Sequence, residues 1–234
     1  MGTVDPQGRR GAGMTGELGT APIRRVGVVG LGYVGRGTAH ALAGVAEVAH
    51  HDPAISGSRP LMELASWSDA LFVCVPTPMG QNGAADLGIV WEVMGQLADQ
   101  RVTTPVLLKS TVPPGTCARV IARWPELSVV FNPEFLRERH HLEDAAAPTR
   151  VVLGWTAAVR HRAREAVRDL YRRRFPSTPL VELDATEAEL LKYASNALFG
   201  VKVSFANEMA DLASALGVPW EPIRQALVLD PRVG

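Results

Sequence analysis

In the stretch LLKYASNALFG, residues 190–200, Lys192 and Asn196 stand four positions apart in otherwise apolar sequence. Helical positions i and i+4 share a face, so an ammonium and an amide would project side by side. The lysine suits a site where negative charge builds on an oxygen, which a nearby cation or acceptor stabilises. Taken alone, the same residues read as a snorkelling lysine and a solvated asparagine. A second candidate is Glu134 in NPEFLRE (Asn132 to Glu138), a carboxylate able to activate water. It follows an apolar run, and ligands of open sheets gather where strands end. The third is VGVVGLGYVG, which sets Gly30, Gly32 and Gly35 in a G-x-G-x-x-G directly after another apolar run. There the first glycine permits a tight turn, the second admits a pyrophosphate to the backbone, and the third lets helix and strand close up. Asp52, at the end of AEVAHHD, can accept hydrogen bonds from adenosine ribose hydroxyls and repel a 2′-phosphate, which favours NAD over NADP.

These residues need a frame. Seven short apolar runs alternate with helical stretches: RVGVVG, AEVAHHD, ALFVCVPTP, PVLLKSTVPPG, LSVVFNPEF, RVVLGW and PLVELD. Near-continuous hydrophobic strands separated by helices mean a sheet covered on both faces. The expected fold is α/β, a Rossmann-like, doubly wound, mostly parallel sheet followed by a long α-helix. In that helix, Leu190, Ala194, Ala197, Val201, Phe205, Leu212 and Leu216 recur at helical spacing. Asp184 or Thr186 can cap its start, each with a glutamate three residues on, and Gly217 with Pro219 ends it. About 30 residues make a helix of roughly 45 Å, longer than one crossover needs, so part of it should pack on another chain or domain. The expected organisation is a disordered tail over 1–22, an NAD-binding domain over 23–183 and a helical dimerisation and substrate segment over 184–234.

Composition narrows the partners. Twenty-four basic side chains balance twenty-four acidic ones, giving no electrostatic reason to expect nucleic acid or an anionic membrane. No apolar run approaches a bilayer span, and the expected location is the cytoplasm. Only Cys74 and Cys117 are present, which argues against a disulfide framework and against a cysteine-based zinc site. His140 and His141, beside Glu138, Glu143 and Asp144, are read as solvated loop residues, with no metal expected.

Three further motifs, VPTP (Val75 to Pro78), KSTVPPGT (Lys109 to Thr116) and NPEFLRE, stand between GLGYVG and LLKYASNALFGVKVSFANEMADL. In this order the five resemble the UDP-glucose/GDP-mannose dehydrogenase family, over about residues 25–234. The resemblance implies NAD-dependent oxidation of a nucleotide sugar's primary alcohol to a carboxylate, through an aldehyde and a cysteine-bound thioester. It implies that Gly30, Leu31, Gly32, Tyr33, Val34, Gly35 and Asp52 hold NAD. Val75, Thr77, Ser110 and Thr111 would line the nicotinamide side, with Thr111 also near the catalytic water. Glu134 would be the base for thioester hydrolysis. Glu134, Phe135, Leu136, Arg137 and Glu138 would border the sugar, with Glu138 also facing the nicotinamide. Lys192 would stabilise the alkoxide, and Asn196 would bind the sugar and position water. The implied partners are a UDP-glucose- or GDP-mannose-type substrate and either a second copy, through the 186–216 helix, or a C-terminal partner chain.

The sequence departs from the family's pattern in three places. The family's nucleophilic cysteine lies in a glycine-rich segment beyond the central helix, and a second nucleotide-binding domain follows. This sequence runs to LVLDPRVG, before that segment. Cys74, inside a strand, and Cys117, at a helix start, match neither its motif nor its place, so an incomplete site is expected. The crossover after Asp52 is short and carries no basic residue soon after the acid. RERHHLED stands where the family commonly has a glycine and a small residue after the glutamate. Two other readings remain open: a non-catalytic NAD-binding or dimerising remnant or split-enzyme subunit, and a hydroxyacid dehydrogenase of the 6-phosphogluconate type using the lysine–asparagine pair.

Overall fold

A computed structural model describes residues 21–233. The tail expected over 1–22 lies outside the described residues except for its last two. Among the described residues seven strands form one sheet: β1 (Arg25–Val29), β2 (Glu47–His51), β3 (Ala70–Val73), β4 (Val106–Leu108), β5 (Val129–Phe131), β6 (Val151–Trp155) and β7 (Leu180–Asp184). Their order is β2-β1-β3-β4-β5-β6-β7, and every pair is parallel except β5–β6. The seven strands are the seven apolar runs. In the interior strands side chains alternate between two buried faces, with Leu71 and Val73 on one and Ala70 and Phe72 on the other, as strand geometry requires.

Helices α1 (Tyr33–Leu42) and α6 (His161–Arg174) cover one face. The other is covered by α2 (Leu61–Trp67), α3 (Gly88–Asp99), α4 (Thr116–Arg123) and the first turns of α7 (Ala185–Ala215). Helix α5 (His141–Ala146) packs on α1, where Gly37 lets Ala145 come close, and α8 (Trp220–Leu227) follows α7.

Register aligns the strand ends. Val29 pairs with His51 and Val73, Val73 with Leu108, and Leu108 with Phe131. The glycine loop, Asp52, Val75–Thr77, Lys109–Thr111 and Asn132–Glu138 therefore all leave from one edge. Because β6 is antiparallel to β5, no crossover to the far edge is needed. The 132–150 connection stays over the strand ends and roofs them.

Helix α7 starts with the expected capping box: Asp184 accepts from Thr186 N–H and Glu187 from Asp184 N–H. Gly217, at φ +69°, ends it with paired bonds from Gly217 N–H to Ser214 and from Val218 N–H to Ala213, a Schellman closure. The helix crosses β6 at Gly154, where a Cβ would lie 2.7 Å from Ala188. Lys192 stands one turn further on, about 6 Å along the axis, beyond the level of Phe131. Past Tyr193 the helix leaves the core, and Leu198, Phe199, Val201, Val203 and Phe205 are all more than half exposed. No described helix is long and apolar enough to cross a membrane.

Candidate active site

The glycine loop has a separate reason for each glycine. Gly30 holds φ +88° and a Cβ there would meet the Cys74 carbonyl at 2.7 Å; at Gly35 a Cβ would lie 1.8 Å from the Gly30 carbonyl oxygen. Gly32 is different, since a Cβ would meet no protein atom within 4 Å. Its freedom is toward the cleft, at the N-terminus of α1, whose first turn carries no acid. Free N–H groups and the positive helix end favour an anion there. The cleft, about 810 Å³, is lined by Gly30, Gly32, Tyr33 and Val34, by Asp52, and at its far end by Val75, Thr77, Ser110 and Thr111. Its shape and donors fit a dinucleotide.

Asp52 is held in place by Leu31 N–H (2.7 Å) and Ala54 N–H (2.9 Å). These two donors keep its carboxyl below the usual range. At the other end, Ser110 Oγ donates to the Val75 carbonyl (2.7 Å) and Thr77 Oγ1 to the Thr111 carbonyl (2.9 Å). Those bonds fasten the end of β3 to the end of β4 and fix the wall where a nicotinamide would lie.

A second cavity, about 520 Å³, lies beneath the 132–150 roof and beside α7. Here Lys192 Nζ donates to Glu134 Oε1 (2.9 Å) and to the Glu134 carbonyl (2.7 Å), while Glu134 Oε2 accepts from Leu136 N–H (2.6 Å). Phe135 lies beneath the Arg150 guanidinium at 4.0 Å and 5.3 Å from Lys192 Nζ. Arg137 grips Asp144 through backbone and guanidinium, tying the loop to α5. Asn196 lines the same cavity and is exposed. Glu134, Phe135, Leu136, Arg137, Lys192 and Asn196 are thus brought together. Glu138 is not: it is exposed on the 3-10 turn Glu138–His140 and lines neither space. The histidines turn to local partners, His140 Nδ1 to Glu143 (2.9 Å) and His141 Nδ1 to the Glu138 carbonyl (2.9 Å), and the His141 ring meets Tyr33 edge-on.

Two residues to which the sequence assigned no part in the site join this architecture. Lys109 lines both the cleft and the cavity. Its Nζ donates to Asn132 Oδ1 (3.0 Å) and the Asn132 carbonyl (3.2 Å), Asn132 Oδ1 also accepts from Tyr171, and Asn132 Nδ2 donates to Val152. Burial pushes the Lys109 ammonium down. A lysine ending the apolar run PVLLK was the available signal. Glu189, on α7 and fully buried, accepts from Gly115 N–H (2.5 Å) and Cys117 N–H (2.7 Å), capping α4 from a distant part of the chain. Both cysteines are buried. Burial raises the Cys74 thiol to about 11 and drives Cys117 well above its usual value, with Glu189 adding to the latter.

Comparison with known proteins gives the family and supports the fold. Residues 41–175 match the UDP-glucose/GDP-mannose dehydrogenase family, NAD binding domain, and residues 186–234 match the central domain of the same family. The first match begins within α1, so the glycine loop rests on its own geometry. UDP-glucose 6-dehydrogenase of Rickettsia conorii is 36% identical over 172 residues, covering 71% of this chain and 39% of the relative. The enzyme of that name from Pseudomonas aeruginosa is 38% identical over 179 residues, with the same coverage of 71% and 39%. The chain thus spans about two fifths of the length of these relatives. Among solved structures, a UDP-glucose dehydrogenase from Pyrobaculum islandicum superposes with TM-score 0.79 at 32% identity, over 93% of this chain and 59% of that one. A GDP-mannose dehydrogenase ternary complex from Pseudomonas aeruginosa gives TM-score 0.75 at 26% identity, over 88% and 57%.

Proposed function

The chain belongs to the UDP-glucose/GDP-mannose dehydrogenase family, and we propose that its residues bind NAD and remove a hydride from the primary alcohol of a nucleotide sugar. The observation that carries this reading is the junction at Lys109, where the dinucleotide cleft and the Glu134–Lys192–Asn196 cavity share a wall. A sugar in the cavity and a nicotinamide at the Thr77–Thr111 end of the cleft are then neighbours. NAD, when bound, supplies the hydride acceptor. Gly32 and the α1 N-terminus receive the pyrophosphate, and Asp52 the adenosine ribose.

Asn196 holds the sugar hydroxyl, and the Lys192 ammonium draws the negative charge that develops on its oxygen. The carbon–hydrogen bond at that carbon breaks with its electron pair leaving as hydride, the hydroxyl proton passes to water, and an aldehyde remains. Glu134, aimed by Lys192 and by Leu136 N–H, is the base that activates water for the hydrolytic step of a full oxidation. That step requires a reactive thiol, and the buried, raised Cys74 and Cys117 do not suit the role. The chemistry of these residues alone therefore ends at the aldehyde, and the thiol comes from another segment or chain. The exposed apolar face of α7 is the surface on which a second copy or that chain would pack.

Incubation with NAD and UDP-glucose or GDP-mannose, following reduced cofactor and analysing the sugar by mass spectrometry, should yield one reduced cofactor per aldehyde. Uronic acid from this chain alone would contradict the aldehyde limit. NAD binding with no reduction on either sugar, even with a thiol-bearing partner chain added, would overturn the enzymatic reading.

A further inference from the structure

The cofactor cleft that Asp52 lines also carries a polar pair on α3 that the dehydrogenase chemistry does not use. On α3, Ile89, Glu92, Val93 and Gln96 recur at helical spacing and line the cleft, as do Pro53 and Leu61. The apolar members give this part of the lining a surface on which a flat ring can pack. The polar members stand together: Gln96 Nε2 donates to Glu92 Oε1 at 3.1 Å, which fixes the amide's orientation. The second Glu92 oxygen and the second Gln96 N–H have no partner among the described residues, leaving one acceptor beside one donor. After Asp52, Pro53 to Ser58 carry no basic side chain. Arg59, the first to follow, lies over the Trp67 ring at 4.7 Å.

We propose that Glu92 and Gln96 are the base-reading edge of the cofactor cleft and select adenine, an inference that rests on NAD binding as proposed above. A base carried on a ribose held by Asp52 packs on the apolar lining given by Pro53, Leu61, Ile89 and Val93. Adenine presents an amino donor next to a ring-nitrogen acceptor, the complement of a carboxylate oxygen next to an amide N–H. Glu92 takes the exocyclic amino hydrogen, and Gln96 donates to the ring nitrogen. Hypoxanthine replaces the amino group with a carbonyl oxygen, which would face the Glu92 carboxylate acceptor to acceptor. The edge thus supplies from α3 the recognition that the crossover after Asp52 lacks.

The test is calorimetric titration of the full chain with NAD and with nicotinamide hypoxanthine dinucleotide, repeated on Glu92→Gln and Gln96→Leu. Both side chains are exposed, and circular dichroism melts check that the variants fold. The wild-type chain should bind NAD about tenfold or more tightly than the analogue, the value of one hydrogen bond to a charged group. Glu92→Gln, whose amide can donate to the carbonyl, should bind the analogue better than the wild type does and close most of the gap. A merely structural role for Glu92 would not improve analogue binding. Equal affinities for the two dinucleotides in the wild-type chain would overturn the adenine assignment alone. No binding of either would overturn it together with the cofactor reading.

Discussion

Lys192→Met should destabilise the fold more than Lys192→Met combined with Glu134→Gln. The two charges stand 2.9 Å apart with side chains only 5% and 13% exposed. At an effective dielectric of about 20, opposite charges at that separation attract by about 6 kcal/mol, and desolvation offsets much of this. Removing only the lysine forfeits the attraction and strands the carboxylate with Leu136 N–H as its one remaining donor among the described residues. Breaking a buried pair in this way costs about 3–5 kcal/mol. Adding Glu134→Gln removes the stranded charge while keeping an oxygen for Leu136 N–H, and should return about 2 kcal/mol. For a domain of this size the single variant should melt roughly 6–20 °C lower. Urea titrations fitted with a common slope, alongside thermal melts, give all four corners of the cycle. Additive losses, with the double variant below either single, would refute the pairing argument.

Two further outcomes follow from the same geometry. Glu189→Gln keeps one acceptor but turns an amide donor toward a backbone N–H of α4. It should cost about 2–4 kcal/mol in urea unfolding, and a loss under about 0.5 kcal/mol would remove Glu189 as the clamp between α7 and the KSTVPPGT loop. The folded pKa of Asp52 is depressed by its two backbone donors, so the unfolded chain takes up that proton first as pH falls. Its contribution is full above about pH 5 and lost as pH drops through the folded value. Asp52→Asn should flatten the acid limb of stability against pH in urea titrations below about pH 5, and an unchanged limb would contradict the role of the Leu31 and Ala54 bonds.

The sheet was legible because five of its strands are nearly unbroken apolar runs, with only the edge strands β2 and β7 more polar, and α7 because Asp184, Glu187 and Gly217 mark its ends in local sequence. The direction of β6 was not legible in this way. RVVLGW reads the same as a parallel or an antiparallel strand, and only the 132–150 connection decides. Glu134, Lys192 and Asn196 could be named one by one from their types and motifs. Their meeting depends on Gly154 admitting Ala188, a contact across more than thirty residues that no local pattern states. Glu189 was missed for the same reason, since its two donors lie more than seventy residues away. Lys109 was visible as a lysine at a strand end, but its place between two spaces is a property of the fold. Glu138 shows the converse: its motif put it at the nicotinamide, while RERHH turns it outward on a 3-10 turn.

The central claim is that hydride leaves the sugar's primary alcohol carbon at a site built by Lys192, Asn196 and the Lys109 wall. The most direct measurement is a single turnover with NAD and UDP-glucose or GDP-mannose carrying two deuterons on that carbon, followed by mass spectrometry of the cofactor. The account predicts reduced cofactor carrying one deuteron, a slower rate than with the unlabelled sugar, and loss of the transfer in Lys192→Met. Bound NAD that acquires no deuteron from either sugar, with or without a thiol-bearing partner chain, would contradict it.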